Sequence, residues 1–248
     1  MDYLKEFCSK LQNLDKSKNT ITVFNDFLTL STCSIANVFY RSDEIEQKYL
    51  TTAKQYTKEQ VDEFSKLLAL LVKALEEEYQ DFLGKVYMQM NFGNSANGQF
   101  FTPYHVSKLM SEINFAETEY ILKNDEILTL SEPCCGSGGI IIAFADVMRA
   151  KNYNYQRYLF VEAIDIDENC FKMAYIQLAL LGIPARVILG DTISLKFKQI
   201  LYTPLYFING FSWRLKENTS SKSTEIKTEE EVIKQIVETK QLSLFGVS

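Results

Sequence analysis

The chain has 248 residues, 46% of them apolar and 23% charged, which is ordinary globular usage, long enough for a sizeable core and unlike a fibrous repeat or a disordered tract. Its net charge of −6 argues against strong unaided binding to a phosphate backbone, because Lys and Arg must neutralise the phosphates. The five cysteines are odd in number and include the adjacent pair Cys134 and Cys135, which suits reduced thiols better than a disulfide framework; with a single His and no zinc spacing, no metal is expected.

No apolar run reaches the roughly eighteen residues of a membrane span: Leu67 to Val72 stops at Lys73, and Gly139 to Val147 is interrupted by Asp146. The opening MDYLKEFCSK lacks a basic-then-apolar leader, so a cytoplasmic location is expected.

In chain order, residues 1–92 read as a helical domain punctuated by Ser, Thr, Asn and Asp. Asp26 to Val38 carries an approximate helical stripe of Phe27, Leu28, Leu30, Ile35 and Val38. Thr57 with Gln60 forms a capping-box pattern, and Val61, Phe64, Leu67, Leu68, Leu71, Val72 and Leu75 then repeat at three and four. Nothing in these helices has catalytic spacing, and a structural bundle is the expected role.

The pattern changes after Gly93. GNSANGQ is a loop, and a helix is expected to start at Thr102 or Pro103, since Pro suits a first helical turn. Glu126 to Leu130 reads as a buried strand, Ile140 to Lys151 as a helix, Tyr158 to Ile166 as a strand, Glu168 to Leu181 as a helix, and Ala185 to Leu189 as a strand ending in Gly190-Asp191. This alternation predicts an α/β fold with a parallel, Rossmann-like sheet and right-handed crossovers over residues 93–215. One further apolar segment runs from Ile200 to Phe211. Residues 216–248 read as a Ser/Thr-rich linker, a short charged helix near Glu229 to Thr239, and a tail.

In an open α/β sheet, ligands sit beyond the carboxyl ends of the strands. Gly136, Gly138 and Gly139 follow the first strand; they read either as a tight strand-to-helix turn or as a loop that lets backbone approach a ligand. Asp165 and Asp167 close the second strand, where a carboxylate can accept both hydroxyls of a ribose, and Asp191 closes the third, where one can accept from an adenine amine. The third position of the dinucleotide fingerprint falls on Ile141, so a nucleoside without a pyrophosphate fits better.

Four segments in order, GQFFTPYHVSKLM (98–110), SEPCCGSGG, VEAIDIDENCFKMAYIQLALLG and LGD, resemble the N-6 adenine DNA methylase family, in particular the modification subunits of type I restriction systems. The resemblance spans about residues 80 to 192 and implies a Rossmann-like core using S-adenosyl-L-methionine, preceded by the helical domain. It implies that Phe101, Thr102 and Pro103 contact the methionine part, that Glu132, Pro133, Gly136, Ser137 and Gly138 wrap methionine and ribose, that Asp165 holds the ribose, that Ile166 lies on the adenine face, and that Asp191 holds the adenine amine. His105 reads as a first-turn surface residue, and Cys134 and Cys135 as small loop residues without reactivity.

The family's catalytic element is Asn or Asp, Pro, Pro, then Tyr or Phe; the target base is flipped out, the aromatic ring stacks on it, and the amide accepts from the amino group. The nearest segment here is Thr203-Pro204-Leu205-Tyr206, twelve positions past Asp191. Two readings follow: an adenine-N6 DNA methyltransferase of restriction-modification or mobile-element type in which Thr203, Pro204 and Tyr206 act, or a catalytically deficient cofactor-binding accessory. The implied partners are DNA, held weakly without help, and a specificity subunit. Finally, Gln241-Leu242-Ser243-Leu244-Phe245 resembles the bacterial sliding-clamp-binding peptide, whose apolar side chains fill a pocket while the Gln bonds at its rim; the alternative is that these residues dock on the chain's own sheet.

Overall fold

A computed structural model describes residues 2–92, 101–124 and 126–215. The amino-terminal part is helical: α1 (Tyr3–Leu14), α2 (Thr20–Tyr40), α3 (Asp43–Ala53), α4 (Lys58–Glu77) and α5 (Phe82–Gln89). Local chemistry explains their starts. Asp2 accepts from the Lys5 amide, Thr57 and Gln60 form the expected reciprocal capping box on α4, and Asp81 caps α5 through the Gly84 amide, each satisfying an amide that the first turn leaves unbonded. The expected stripe from Asp26 to Val38 is the central part of the longer α2, which ends at Arg41 in the left-handed region, φ 47°.

Phe7, Phe24, Phe27 and Phe82 are all buried, and Phe7 meets Phe27 and Phe82 edge-on at centroid distances of 5.3 and 5.5 Å. Burying each ring contributes about 1.5–3 kcal/mol, and the edge-on geometry suits the ring quadrupoles.

The second part comprises α6 (Tyr104–Lys123), β1 (Leu128–Glu132), α7 (Gly139–Ala150), α8 (Tyr155–Tyr158), β2 (Leu159–Asp165), α9 (Glu168–Leu180), β3 (Ala185–Asp191), β4 (Lys196–Tyr202) and α10 (Pro204–Ile208). The sheet order is β1-β2-β3-β4. β1, β2 and β3 are parallel, as their alternation with helices predicts, with Leu128 opposite Leu159 and Val161 opposite Ala185. The Rossmann-like half is therefore present. β1 is an edge among the described residues, and no helix among them is long and apolar enough to cross a membrane.

The sequence pattern did not reveal β4. It runs antiparallel to β3, from Lys196 opposite Asp191 to Tyr202 opposite Arg186, with a register shift at Leu189/Gly190. A side chain at Gly190 would sit 2.7 Å from the Lys196 carbonyl oxygen, so only glycine allows the two backbones to close there. β4 is half-exposed, and its Lys, Phe and Gln residues carry no strong alternation; pairing with β3 decides its conformation.

The described residues up to Asn209 form one compact unit, within which the boundary expected at residue 92 falls, and residues 210–215 belong to a second. Inside the first unit, polar contacts tie the helical part to the sheet part. Buried Lys172 on α9 bonds Thr29 of α2 at 3.0 Å and pairs with Glu168 at 2.8 Å, while the Tyr202 amide donates to the Tyr40 hydroxyl at 2.7 Å. In the second unit the Trp213 and Arg214 amides both donate to the Gly210 carbonyl.

Candidate ligand-binding site

The loop between β1 and α7 is built for close approach. The Cys135 amide donates to the Ile164 carbonyl of β2, and the Gly138 amide closes a turn on the Cys135 carbonyl. Gly136 and Gly138 have φ of 54° and 93°, values that cost an L side chain about 1–2 kcal/mol. A Cβ on Gly136 would meet the Phe101 ring at 3.1 Å. Gly138 then caps α7, whose amino end faces the same region.

A cavity of about 270 Å³ opens above this loop. Of the residues expected at a cofactor, Phe101, Thr102, Gly136, Ser137 and Asp165 line it. Asp165 accepts from the Gly136 amide at 2.8 Å and from the Asp167 amide at 2.9 Å, so one carboxylate joins the ends of β1 and β2 and keeps acceptor capacity beyond those two bonds. Burial raises its affinity for a proton above the ordinary carboxyl value, and the two amide bonds oppose that rise. Asp167 faces the other way, capping α9 through the Asn169 and Cys170 amides.

The other expected residues are not among those lining the cavity. Pro103 precedes α6, Glu132 ends β1 and accepts from the Cys134 amide at 3.4 Å, and the Pro133 carbonyl accepts from the Thr192 hydroxyl at 2.6 Å. Ile166 is 66% exposed directly after Asp165. Asp191 bonds the Ile193 amide, the Ser194 amide and the Ser194 hydroxyl, and these bonds lower its pKa, the hydroxyl foremost. It stabilises its own loop, with further contacts limited to its remaining lone pairs. Burial pushes the Cys135 thiol well up, consistent with an unreactive residue.

The candidate catalytic segment is elsewhere, and that expectation is corrected. Because β4 runs back along β3, Thr203 lies at the amino end of β3, whereas Asp191 and the cavity lie at the carboxyl edge. Six residue steps of strand separate the two ends, roughly 20 Å. The Thr203 hydroxyl is fully buried and doubly used, accepting from the Ala185 amide at 2.9 Å and donating to the Ile183 carbonyl at 2.7 Å. Pro204 starts α10, and Tyr206 stacks on Tyr202 at 4.2 Å. These residues are tertiary structure, remote from the pocket.

The structure also brings in residues that no motif indicated. Asp81, from the start of α5, lines the cavity, and one of its carboxylate oxygens accepts from the Ser137 hydroxyl. Its other oxygen accepts from the Gly84 amide and from Gln177 Nε2, both at 2.9 Å. Gln177, wholly buried on α9, also donates to the Ser137 carbonyl and accepts from the Leu83 amide. A helical N-cap Asp was legible at Asp81-x-x-Gly84; its link to Gln177, 96 positions away, was not.

A strand-loop-helix glycine turn tied to an acid at the next strand end, on a Rossmann-like sheet, is an arrangement that can receive a nucleoside. The sequence profile of the N-6 DNA Methylase family matches residues 78–199, which contain the glycine loop, Asp165 and Asp191. Among solved structures, the chain is similar to a candidate class I S-adenosylmethionine-dependent methyltransferase of Listeria monocytogenes, with 13% identity and a TM-score of 0.43, covering 77% of this chain and 54% of that one. It is also similar to the methyltransferase subunit of a type I restriction-modification system of Streptococcus thermophilus, with 13% identity and a TM-score of 0.36, covering 73% and 55%. The chain thus spans about half the length of either. No curated protein sequence matches it.

Proposed function

We propose that this chain binds S-adenosylmethionine at the cavity and serves an adenine-N6 DNA methyltransferase of the restriction-modification type. The observation that carries the reading is the carboxylate of Asp165, bonded to the Gly136 amide at the rim of a cavity in a segment that matches the N-6 DNA Methylase family. The chemistry of the lining agrees: its charged groups among the described residues are Asp81 and Asp165, both suited to a sulfonium-bearing, net cationic ligand. Phe101, Thr102, Ser137 and the glycine loop would hold the methionine part, Asp165 the ribose, and Ile166 and Asp191 the adenine. When bound, the cofactor supplies an electrophilic methyl group. Pro103, Glu132, Pro133 and Gly138 would fix the backbone of the segments that carry the lining residues.

A second reading is favoured by the placement of Thr203, Pro204 and Tyr206 at the far end of the sheet: the chain is a cofactor-binding subunit, and the groups that receive the flipped adenine come from outside residues 2–215. A doubly wound sheet continues beyond the strand corresponding to β1, and β1 has an unpaired edge among the described residues. Labelled S-adenosylmethionine with host DNA separates the readings. Label transfer abolished by Asp165→Ala is expected of the enzyme; cofactor binding without transfer, restored on adding a specificity or catalytic subunit, is expected of the subunit. Failure of the wild type to bind S-adenosylhomocysteine would reject both.

The net charge of −6 calls for help in reaching DNA, and tethering raises effective concentration without new phosphate contacts. Gln241, Leu242, Ser243, Leu244 and Phe245, which lie outside the described residues, supply such a tether in this reading by binding the sliding clamp. Equal retention on immobilised clamp of the full chain and of a chain ending at Lys240 would remove the tether from the proposal.

A further inference from the structure

Several helical hydroxyls in this protein are satisfied locally. Thr29, Ser34, Thr52, Ser65, Ser111 and Thr118 each donate to the carbonyl four residues earlier, at 2.8, 2.8, 2.9, 3.4, 2.7 and 3.1 Å, which is the cheapest way for a helix to satisfy an O–H. Ser107, one turn into α6, does not; nor does Thr32 of α2, but Thr32 is not among the residues lining the cavity. Ser107 is fully buried, its Oγ has no hydrogen-bond partner among the described residues, and it lines the same cavity as Thr102, Asp81 and Ser137. A buried hydroxyl left unbonded costs free energy, and when it borders a cavity a ligand can recover that cost.

The rest of the cavity indicates which part of a ligand Ser107 faces. Asp165 stands where ribose hydroxyls are received, and the exposed Ile166 lies beyond it. Ser107 instead lies on the helix that follows Thr102. The other acid of the lining, buried Asp81, already accepts from the Ser137 hydroxyl, the Gly84 amide and Gln177, so this wall is anionic and crowded with acceptors. An α-amino acid end brings both an ammonium for such a wall and a carboxylate in need of donors.

We infer that Ser107 is a ligand-contacting specificity residue whose hydroxyl donates to the carboxylate of the cofactor's amino-acid end, with Asp81 as the positioning residue that fixes the opposing Ser137. This rests on the S-adenosylmethionine reading above.

Calorimetric titration of the full chain with S-adenosylhomocysteine and, separately, with adenosine tests it, alongside ligand-free unfolding midpoints. Ser107→Ala is expected to weaken S-adenosylhomocysteine by about tenfold, the scale of one hydrogen bond to a charged group, and to leave adenosine unchanged, because adenosine lacks the amino-acid end. The same variant is expected to hold or raise the ligand-free midpoint, since a methyl replaces an unbonded hydroxyl. Ser111→Ala, which removes a bonded hydroxyl from the same helix, is expected to do the reverse: a lower midpoint with unchanged affinity. Wild-type affinity for S-adenosylhomocysteine in Ser107→Ala overturns the inference and leaves the pocket reading standing. Equal losses for both ligands overturn the assignment to the amino-acid end. A wild type that binds neither ligand overturns the pocket reading and the inference together.

Discussion

Replacing Thr203 by Val tests most directly whether this residue belongs to a catalytic loop or to the fold. Val has nearly the same shape but no hydroxyl, so the Ala185 amide and the Ile183 carbonyl, bonded at 2.9 and 2.7 Å through a fully buried Oγ, lose their shared partner. Each buried unsatisfied group costs about 1–3 kcal/mol; together, with some relief from the added methyl, the expected destabilisation is about 2–4 kcal/mol. With a urea dependence of roughly 3 kcal/mol per molar, the midpoint falls by about 1 M at constant slope. Thr203→Ser keeps both bonds and loses one methyl, at a cost of about 1 kcal/mol. Urea unfolding followed by helical circular dichroism measures both variants, and titration with S-adenosylhomocysteine in the absence of urea is expected to show unchanged affinity. A Val variant with the wild-type midpoint but no methyl transfer would refute the structural role and restore Thr203 to catalysis.

Two further predictions concern the pocket. Gly136→Ala forces a side chain into φ 54° and to 3.1 Å from the Phe101 ring; S-adenosylhomocysteine affinity measured by titration should drop about tenfold, in line with a left-handed penalty of about 1–2 kcal/mol, whereas Gly182→Ala, strained by its φ of 64° but remote from the pocket, should cost stability alone. For Asp165, burial raises the folded-state pKa, so between the unfolded and folded values the native state holds the extra proton. This group's contribution to stability therefore falls as pH rises through that window and is regained on acidification. Ligand affinity runs the other way, weakening on acidification as the ribose acceptor is protonated. Binding and unfolding measured across the same acidic range should show these opposite slopes, and Asp165→Asn should flatten both; affinity independent of pH in the wild type would count against Asp165 as the ribose acceptor.

Much of the architecture was legible because its causes are local. The capping box at Thr57 and Gln60 and the repeat from Val61 to Leu75 identify α4 from within a few turns of chain. The apolar runs that become β1, β2 and β3 are marked by glycines and acids at their ends. Agreement is close: the helix expected from Ile140 to Lys151 is Gly139–Ala150, and the strand expected from Tyr158 to Ile166 is Leu159–Asp165. Errors arose where a partner decides the outcome. Lys196 to Tyr202 has no pattern that distinguishes a strand from a loop, and it becomes β4 only because β3 offers an unpaired edge.

The site divides along the same line. Gly136 and Asp165, which line the cavity, stood out in the sequence because turn chemistry and strand ends constrain residue type position by position. Tertiary structure alone decided the rest. An antiparallel β4 carried Thr203, Pro204 and Tyr206 to the far end of the sheet. Asp81 and Ser107 came to the cavity from two helices, and Gln177 of a third holds Asp81 across 96 positions. Sequence period and spacing report what a residue's near neighbours require of it. Which hydroxyl is already bonded, and which end of a strand a segment reaches, depend on chain direction and on groups distant in sequence, and these exist only once the sheet has assembled.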